Sequence, residues 1–356
     1  MRTSRFLKDL FSTGFSQVFV LIFGVVLLKL FSAAFNEAHF GLFNVVRRWV
    51  MILVPILTLN LSIGLSRYVS YDEKNGSFFL HFSLLVTAGI CFVFFLMFYL
   101  FPTSFSKLFF NAPIYGNLVM ILFLFTLANV LHLLAYSYFR GKMNMNSANL
   151  MRTLFFGFSL IPASIALYIK FRTNNFIPVS FLYSYFLFYS VFGIGISFFF
   201  MRKELSFSTV STIFKSKWSS FSTVIFKKNG ILMFSLSRIP GFFFSALVFS
   251  YPVLFANHKI SLKAAAYMGI VVSVIRLFAV FSMPFNMIFL PWFSILKRKN
   301  DHNHIIAYSK VVLDFVFTFL PFCGVLMFGL TPFLVLIWFG PSYLIVAEFI
   351  FILPRK

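Results

Sequence analysis

Residues 40–71, FGLFNVVRRWVMILVPILTLNLSIGLSRYVSY, decide what kind of chain this is. A helix crosses a bilayer with roughly 20 apolar residues. This stretch supplies them, and it also carries Arg47, Arg48, Pro55 and Asn60. Charged side chains inside such a segment are costly and turn toward the protein interior or a wet cavity. The arginine pair lies roughly 10 Å inside the Gly41 end, at 1.5 Å per residue. Arg47 and Arg48 are therefore the first candidates for a site. Adjacent helical residues point about 100° apart, so at most one of them is expected to face a cavity squarely, and Arg48 is the choice.

The rest of the chain has the same character. Of its 356 residues 60% are hydrophobic and only 11% charged, and the mean hydropathy is +0.94. Repeated apolar runs of membrane length place it among all-α polytopic membrane proteins. The first apolar run reads as a span and not as a cleaved leader, because no small-x-small cleavage site follows it. The net charge of +22 would suggest nucleic acid in a soluble protein. Here most basic residues fall in short loops, where they set topology instead. No nucleic-acid partner is expected. Cys91 and Cys323 sit in apolar runs and form no metal or disulfide pattern.

Nine spans are expected: near 11–31, 40–71, 77–101, 116–138, 150–170, a sixth ending about 200, then 231–255, 264–293 and 305–328, with 338 as an alternative end of the last. A tenth apolar segment starts at Tyr343. A basic connection over 201–230, in which a short amphipathic surface helix fits, would link an N-terminal six-helix lobe (1–200) to a second, incomplete lobe (231–356). Lys and Arg number eighteen in the head and even-numbered connections but five in the others, counting Arg152 among the former. That bias places the N-terminus in the cytoplasm. Spans one–two and seven–eight share a short connection followed by arginine, proline and a basic end (Arg48, Pro55, Arg67; Arg276, Pro284, Lys297). A parallel repeat would put a cavity between the lobes.

Charge within the spans is lopsided. Arg47, Arg48, Arg238 and Arg276 lie well inside apolar runs, with Lys29 near a span end where it can snorkel. Asp314 is the clearest acid in a span and the candidate for ion coupling. Buried cations in excess of acids need an anion or water. Arginine's forked donors suit a phosphate or pyrophosphate. Gln17, Asn60 and Asn286 are candidate polar lining. Pro55, Pro240 and Pro284 read as packing kinks, with hinging as the functional alternative. No nucleotide-binding G-x-x-x-x-G-K-[S/T] motif occurs. The triplet Asp301, His302, His304 falls short of a metal set. Neither catalytic residues nor a cofactor are expected.

A resemblance to a family rests on the following residues. Gly14, Gln17 and Gly24 mark the first helix. Next come Asn36-Glu37-Ala38-His39-Phe40-Gly41-Leu42-Phe43 and Leu61-Ser62-Ile63-Gly64-Leu65-Ser66-Arg67-Tyr68. Ser237-Arg238-Ile239-Pro240-Gly241 and Phe339-Gly340-Pro341-Ser342-Tyr343 complete the set. With these the chain resembles the polysaccharide (O-antigen type, Wzx-like) flippases of the multidrug/oligosaccharidyl-lipid/polysaccharide exporter superfamily.

The resemblance implies a two-lobed bundle of 12–14 helices in the bacterial inner membrane. Such a bundle flips an undecaprenyl-pyrophosphate-linked oligosaccharide outward for lipopolysaccharide or other surface polysaccharide, by ion-coupled alternating access. Glycan polymerase or assembly proteins are the implied partners besides lipid and substrate. Carry-over from the motifs reaches Arg67 and Arg238; Arg47, Arg48 and Arg276 rest on burial. The expected 9–10 helices fall short of the family's number, so the chain is expected to be a fragment, a frameshifted product or half of a split gene. Alternatives are a multidrug or toxin antiporter of the same superfamily, a membrane glycan polymerase or ligase, and a non-functional remnant. The antiporters favour buried carboxylates, and the enzymes need larger outer loops.

Overall fold

The computed structural model describes the backbone of residues 3–205, 230–277, 279–299, 301–340 and 343. The described residues form an all-α polytopic membrane protein. Its helices are α1 (Thr3–Ala34), α2 (Glu37–Thr58), α3 (Leu61–Tyr71), α4 (Gly76–Leu100), α5 (Pro102–Phe110), α6 (Gly116–Gly141), α7 (Met145–Gly157), α8 (Leu160–Thr173) and α9 (Val179–Met201). After the basic connection come α10 (Ile231–Leu236), α11 (Ile239–Lys259), α12 (Leu262–Leu277), α13 (Ala279–Arg298) and α14 (His302–Phe339). Eight helical stretches among the described residues are long and apolar enough to cross a membrane. The expected eighth span is made of the shorter α12 and α13. The expected ninth continues unbroken to Phe339. The stretch 206–229, where an amphipathic helix was anticipated, and all of the tenth segment but Tyr343 lie outside the described residues.

Local chemistry explains how α2 begins and ends. The Asn36 side chain accepts a hydrogen bond from the His39 amide at 2.8 Å, and Glu37 follows in the first turn, where a negative charge suits the helix dipole. Pro55 stays inside the helix. The interruption comes later, at Leu59 and Asn60, whose φ values of 47° and 54° are left-handed. Beyond them α3 resumes, so the second span is a broken helix.

Burial sorts the helices. In α2 67% of the membrane-length window is buried and in the α6 stretch 61%, against 22% for α4. α2 and α6 are therefore central, while α4 turns Phe92, Val93 and Tyr99 outward, as a lipid-facing helix does. An aromatic network fixes the N-terminal part. The Phe31 ring stacks on Phe43 at 4.3 Å and meets Tyr185 edge-on at 4.7 Å. Phe125 packs on Phe186 at 5.0 Å. Such pairs add to the burial of their area. A polar seam joins α1 to α7, with Asn149 Nδ2 donating to Ser12 Oγ at 3.1 Å and Ser16 in contact with Thr153 at 3.1 Å.

The C-terminal helices pack along the same broken helix. Against α12 the approach of α2 is backbone-close: a Cβ on Gly41 would lie 1.8 Å from the Leu262 carbonyl oxygen. One on Gly269 would lie 2.5 Å from the Asn44 side chain. Small residues at such crossings let membrane helices meet. α10 and α13 pack on α3, and α13 also on α1. Helix α2–α3 thus contacts both parts of the chain along its length.

Candidate functional site: two cationic cavities

The first cavity lies beside the middle of α2. Two adjoining chambers of about 320 and 170 Å³ share Val20, Gly24, Arg47, Arg48 and Arg276 as walls. Helix α2 brings the arginine pair, α12 brings Arg276 and Ser273, α1 brings Gln17, and α7 brings Arg152. Tyr185 and Tyr189, one turn apart on α9, close the far side. Among the described residues no Asp or Glu lines either chamber.

Arg48 is 4% exposed. Its Nη2 donates to the Gly269 carbonyl and to Ser273 Oγ, each at 3.4 Å, so the guanidinium is tied to the helix opposite. Its Nη1 lies 3.7 Å from Met51 Sδ, and Arg276 Nη1 lies 2.9 Å from the same sulfur. Two cations therefore share one weak thioether acceptor. The Arg276 guanidinium also stands 5.6 Å from the Phe249 ring, and that of Arg47 5.3 Å from the Phe43 ring. Arg47 Nη1 and Arg48 Nε are buried without a hydrogen-bond partner among the described residues. A buried donor left in this state costs about 1–3 kcal/mol, and more when it is charged. The geometry supplies converging donors and positive charge, with tyrosine hydroxyls and apolar walls around them. It can hold an anion.

The second cavity, of about 620 Å³, opens at the far end of α3. Arg67, Arg238 and Lys297 stand around it with Ser294 and a wall of aromatic side chains. It shares no lining residue with the first.

The structure thus gathers Gln17, Arg47, Arg48 and Arg276 at one place and sends Arg238 to another. Both Arg47 and Arg48 line both chambers of the first cavity, although adjacent helical residues diverge, so the expectation that only one would face it is not met. Lys29 is exposed on α1 and donates to the Ile337 carbonyl at 3.4 Å. Asn60 is buried at the break of α2–α3 and lines neither cavity. Asp314 is exposed on α14, apart from both cavities. The Asn286 side chain lies outside the described residues. Asp301 caps α14: its Oδ1 accepts from the His304 amide at 3.3 Å and contacts the ring Nδ1 at 2.8 Å.

Sequence reasoning missed Arg152, Ser273 and Lys297. Arg152 was counted with the loop cations, yet it lies seven residues into α7, a position that a helix beginning at Met145 would have revealed. Ser273 stands one turn before Arg276 on α12, and that spacing was the available signal. No protein-family profile, curated protein or solved structure matches this chain.

Proposed function

We propose that this protein is a transporter, not an enzyme, which moves a polyprenyl-pyrophosphate-linked oligosaccharide across a bacterial inner membrane for surface polysaccharide assembly. One observation carries the reading: Arg47, Arg48 and Arg276 meet at a cavity that no carboxylate among the described residues lines. A pyrophosphate fills that electrostatic deficit with paired acceptors, and the hydroxyl-bearing, apolar walls have room for a sugar or a prenyl segment. An organic cation would be repelled there, which argues against a multidrug antiporter.

In this reading the N-terminus is cytoplasmic, by the distribution of loop cations. The Glu37 end of α2 then faces outward and the Arg67 end inward. Transport runs by alternating access powered by an ion gradient. The coupling group is not drawn from the cavity walls, which hold no acid. The resemblance of the Arg67 and Arg238 motifs to those of Wzx-like flippases supports the choice of substrate.

Arg48→Ala and Arg276→Ala are each expected to abolish surface glycan while membrane levels of the protein stay within twofold of the parent. Normal glycan in both variants would reject the cavity as the substrate site. Glycosyl transfer by the purified protein without transport would replace this reading with an enzymatic one.

A further inference from the structure

The second cavity is larger than the first and is not needed to explain it. Its cations come from separate parts of the chain. Arg67 lies on α3, Arg238 at the junction of α10 and α11, and Lys297 near the end of α13. Both guanidinium groups rest on one ring, Arg67 at 4.1 Å and Arg238 at 4.4 Å from the centre of Phe234. Arg67 is also 5.7 Å from the Tyr68 ring. Cation–π contacts of this kind hold a guanidinium in place and leave its in-plane donors free.

Like charges gathered on one ring call for a counter-charge, and no acid among the described residues lines the cavity to supply it. It has eight acids, namely Asp9, Glu37, Asp72, Glu73, Glu204, Asp301, Asp314 and Glu348. None of those among the described residues lines the cavity. Glu37, Glu204 and Asp301 are engaged with Lys263, Lys142 and His304, and Glu348 lies outside the described residues. Opposite the cations, Phe289 and Phe293 stack at 5.1 Å with their planes 7° apart. The cavity combines a fork of cations with an aromatic wall.

We infer that the cavity framed by Arg67, Arg238 and Lys297 is a second anion site, separate from the one at Arg48, and that it takes the phosphate or pyrophosphate head of a lipid-borne ligand. Two guanidiniums grip the phosphate oxygens, Lys297 adds a point charge, and the aromatic wall receives the sugar or prenyl group next to the phosphate. Arg67 and Arg48 are nineteen positions apart on the broken helix α2–α3, at most roughly 28 Å along it at 1.5 Å per residue. The two cavities share no lining residue. The protein therefore offers two stations along one broken helix, a wide one at the Arg67 end and a narrow one at mid-length. The site stands on its own geometry; its place as the loading or release station rests on the transport reading.

The test uses the full chain in phosphatidylcholine nanodiscs, with inorganic pyrophosphate titrated calorimetrically. Two sites per chain are expected. Arg67→Gln with Arg238→Gln removes one, and Arg48→Met with Arg276→Met removes the other. A second measurement needs no loss of charge. In a Cys323→Ser background, Ser294→Cys is labelled with an anionic thiol reagent, and pyrophosphate is expected to slow labelling at least tenfold. Polyprenyl phosphate in the nanodisc serves as a parallel arm: protection by it alone assigns the site to lipid headgroups, and protection by soluble pyrophosphate shows that the free anion suffices. Absence of protection in both arms overturns the inference, as does a single parental site that survives Arg67→Gln with Arg238→Gln. A single parental site that survives only Arg48→Met with Arg276→Met overturns the central-cavity reading and leaves this one standing.

Discussion

Replacing Arg48 with methionine, of similar length and no charge, separates what this residue does for the fold from what it does for a ligand. Arg48 is buried, has an unpartnered Nε, and shares Met51 with another cation. Exchanging buried charges for apolar groups of similar volume is often neutral or stabilising by 1–4 kcal/mol, to judge roughly from other proteins. Arg48→Met is therefore expected to unfold at or above the parental temperature in detergent while transport is lost; a large drop in Tm would mean that the arginine is structural. Asn60 poses the opposite case. Its φ of 54° is left-handed, where asparagine and glycine sit readily and alanine pays about 1 kcal/mol or more. Its Nδ2 is buried without a partner, so little is lost with the side chain. Unfolding titrations should show Asn60→Gly close to the parent and Asn60→Ala clearly weaker, and equal losses would refute the backbone explanation. The sequence exposed Arg47, Arg48 and Arg276 because charge stands out in apolar runs. It hid Tyr185 and Tyr189, since two tyrosines among 59 phenylalanines carry no contrast. For Asn60 it showed polarity but not the φ that explains the choice of residue.

The helices themselves were legible from hydropathy, but their interruptions were not. Pro55 marked a kink in the sequence, yet the break falls at Leu59–Asn60, because a proline can be carried within a membrane helix and left-handed residues cannot. The α7–α8 break carried no such mark, whereas Pro240, read as a kink, stands in the first turn of α11 just after the α10–α11 break; both breaks place a site residue, Ser159 and Arg238, at the junction. How one helix end is tied to the next can be tested by acid. Just beyond α9, Glu204 accepts from Lys142 Nζ at 2.7 Å and from Tyr138 Oη at 2.6 Å, joining the ends of α6 and α9. Burial pushes this carboxyl up, but the Lys142 and Tyr138 hydrogen bonds outweigh it, and the net position is below the ordinary 4.5. A carboxylate depressed on folding contributes stability above its unfolded pKa and loses it as the pH falls through the folded one. Thermal unfolding followed from pH 6 down to roughly pH 3 should therefore fall more steeply for the parent than for Glu204→Gln. Parallel curves would remove Glu204 from the account.

At the scale of the molecule the sequence reading divided the chain at 201–230, and it could not foresee how tightly one helix would bind the two sides. That depends on contacts between residues more than 200 positions apart, which no local pattern encodes. Ser250 Oγ donates to the Arg48 carbonyl at 3.3 Å. At the start of α2, Glu37 pairs with Lys263 Nζ at 2.6 Å and accepts from Tyr267 Oη at 2.8 Å. Directly beneath, Gly41 lets the backbones of α2 and α12 touch. The ion pair is too exposed to contribute much to stability. Its position ties the Glu37 end of α2 to α12, and under the proposed alternating access this end would part from α12. Glu37→Cys with Lys263→Cys, in the Cys323→Ser background, allows the closure to be fixed by a short cleavable bis-maleimide. Cross-linked protein is expected to bind pyrophosphate but carry out less than a tenth of parental transport in proteoliposomes, with recovery once the linker is cut. Undiminished transport in the cross-linked state would show that the Glu37 end never opens, and the route past Arg48 would have to lie elsewhere.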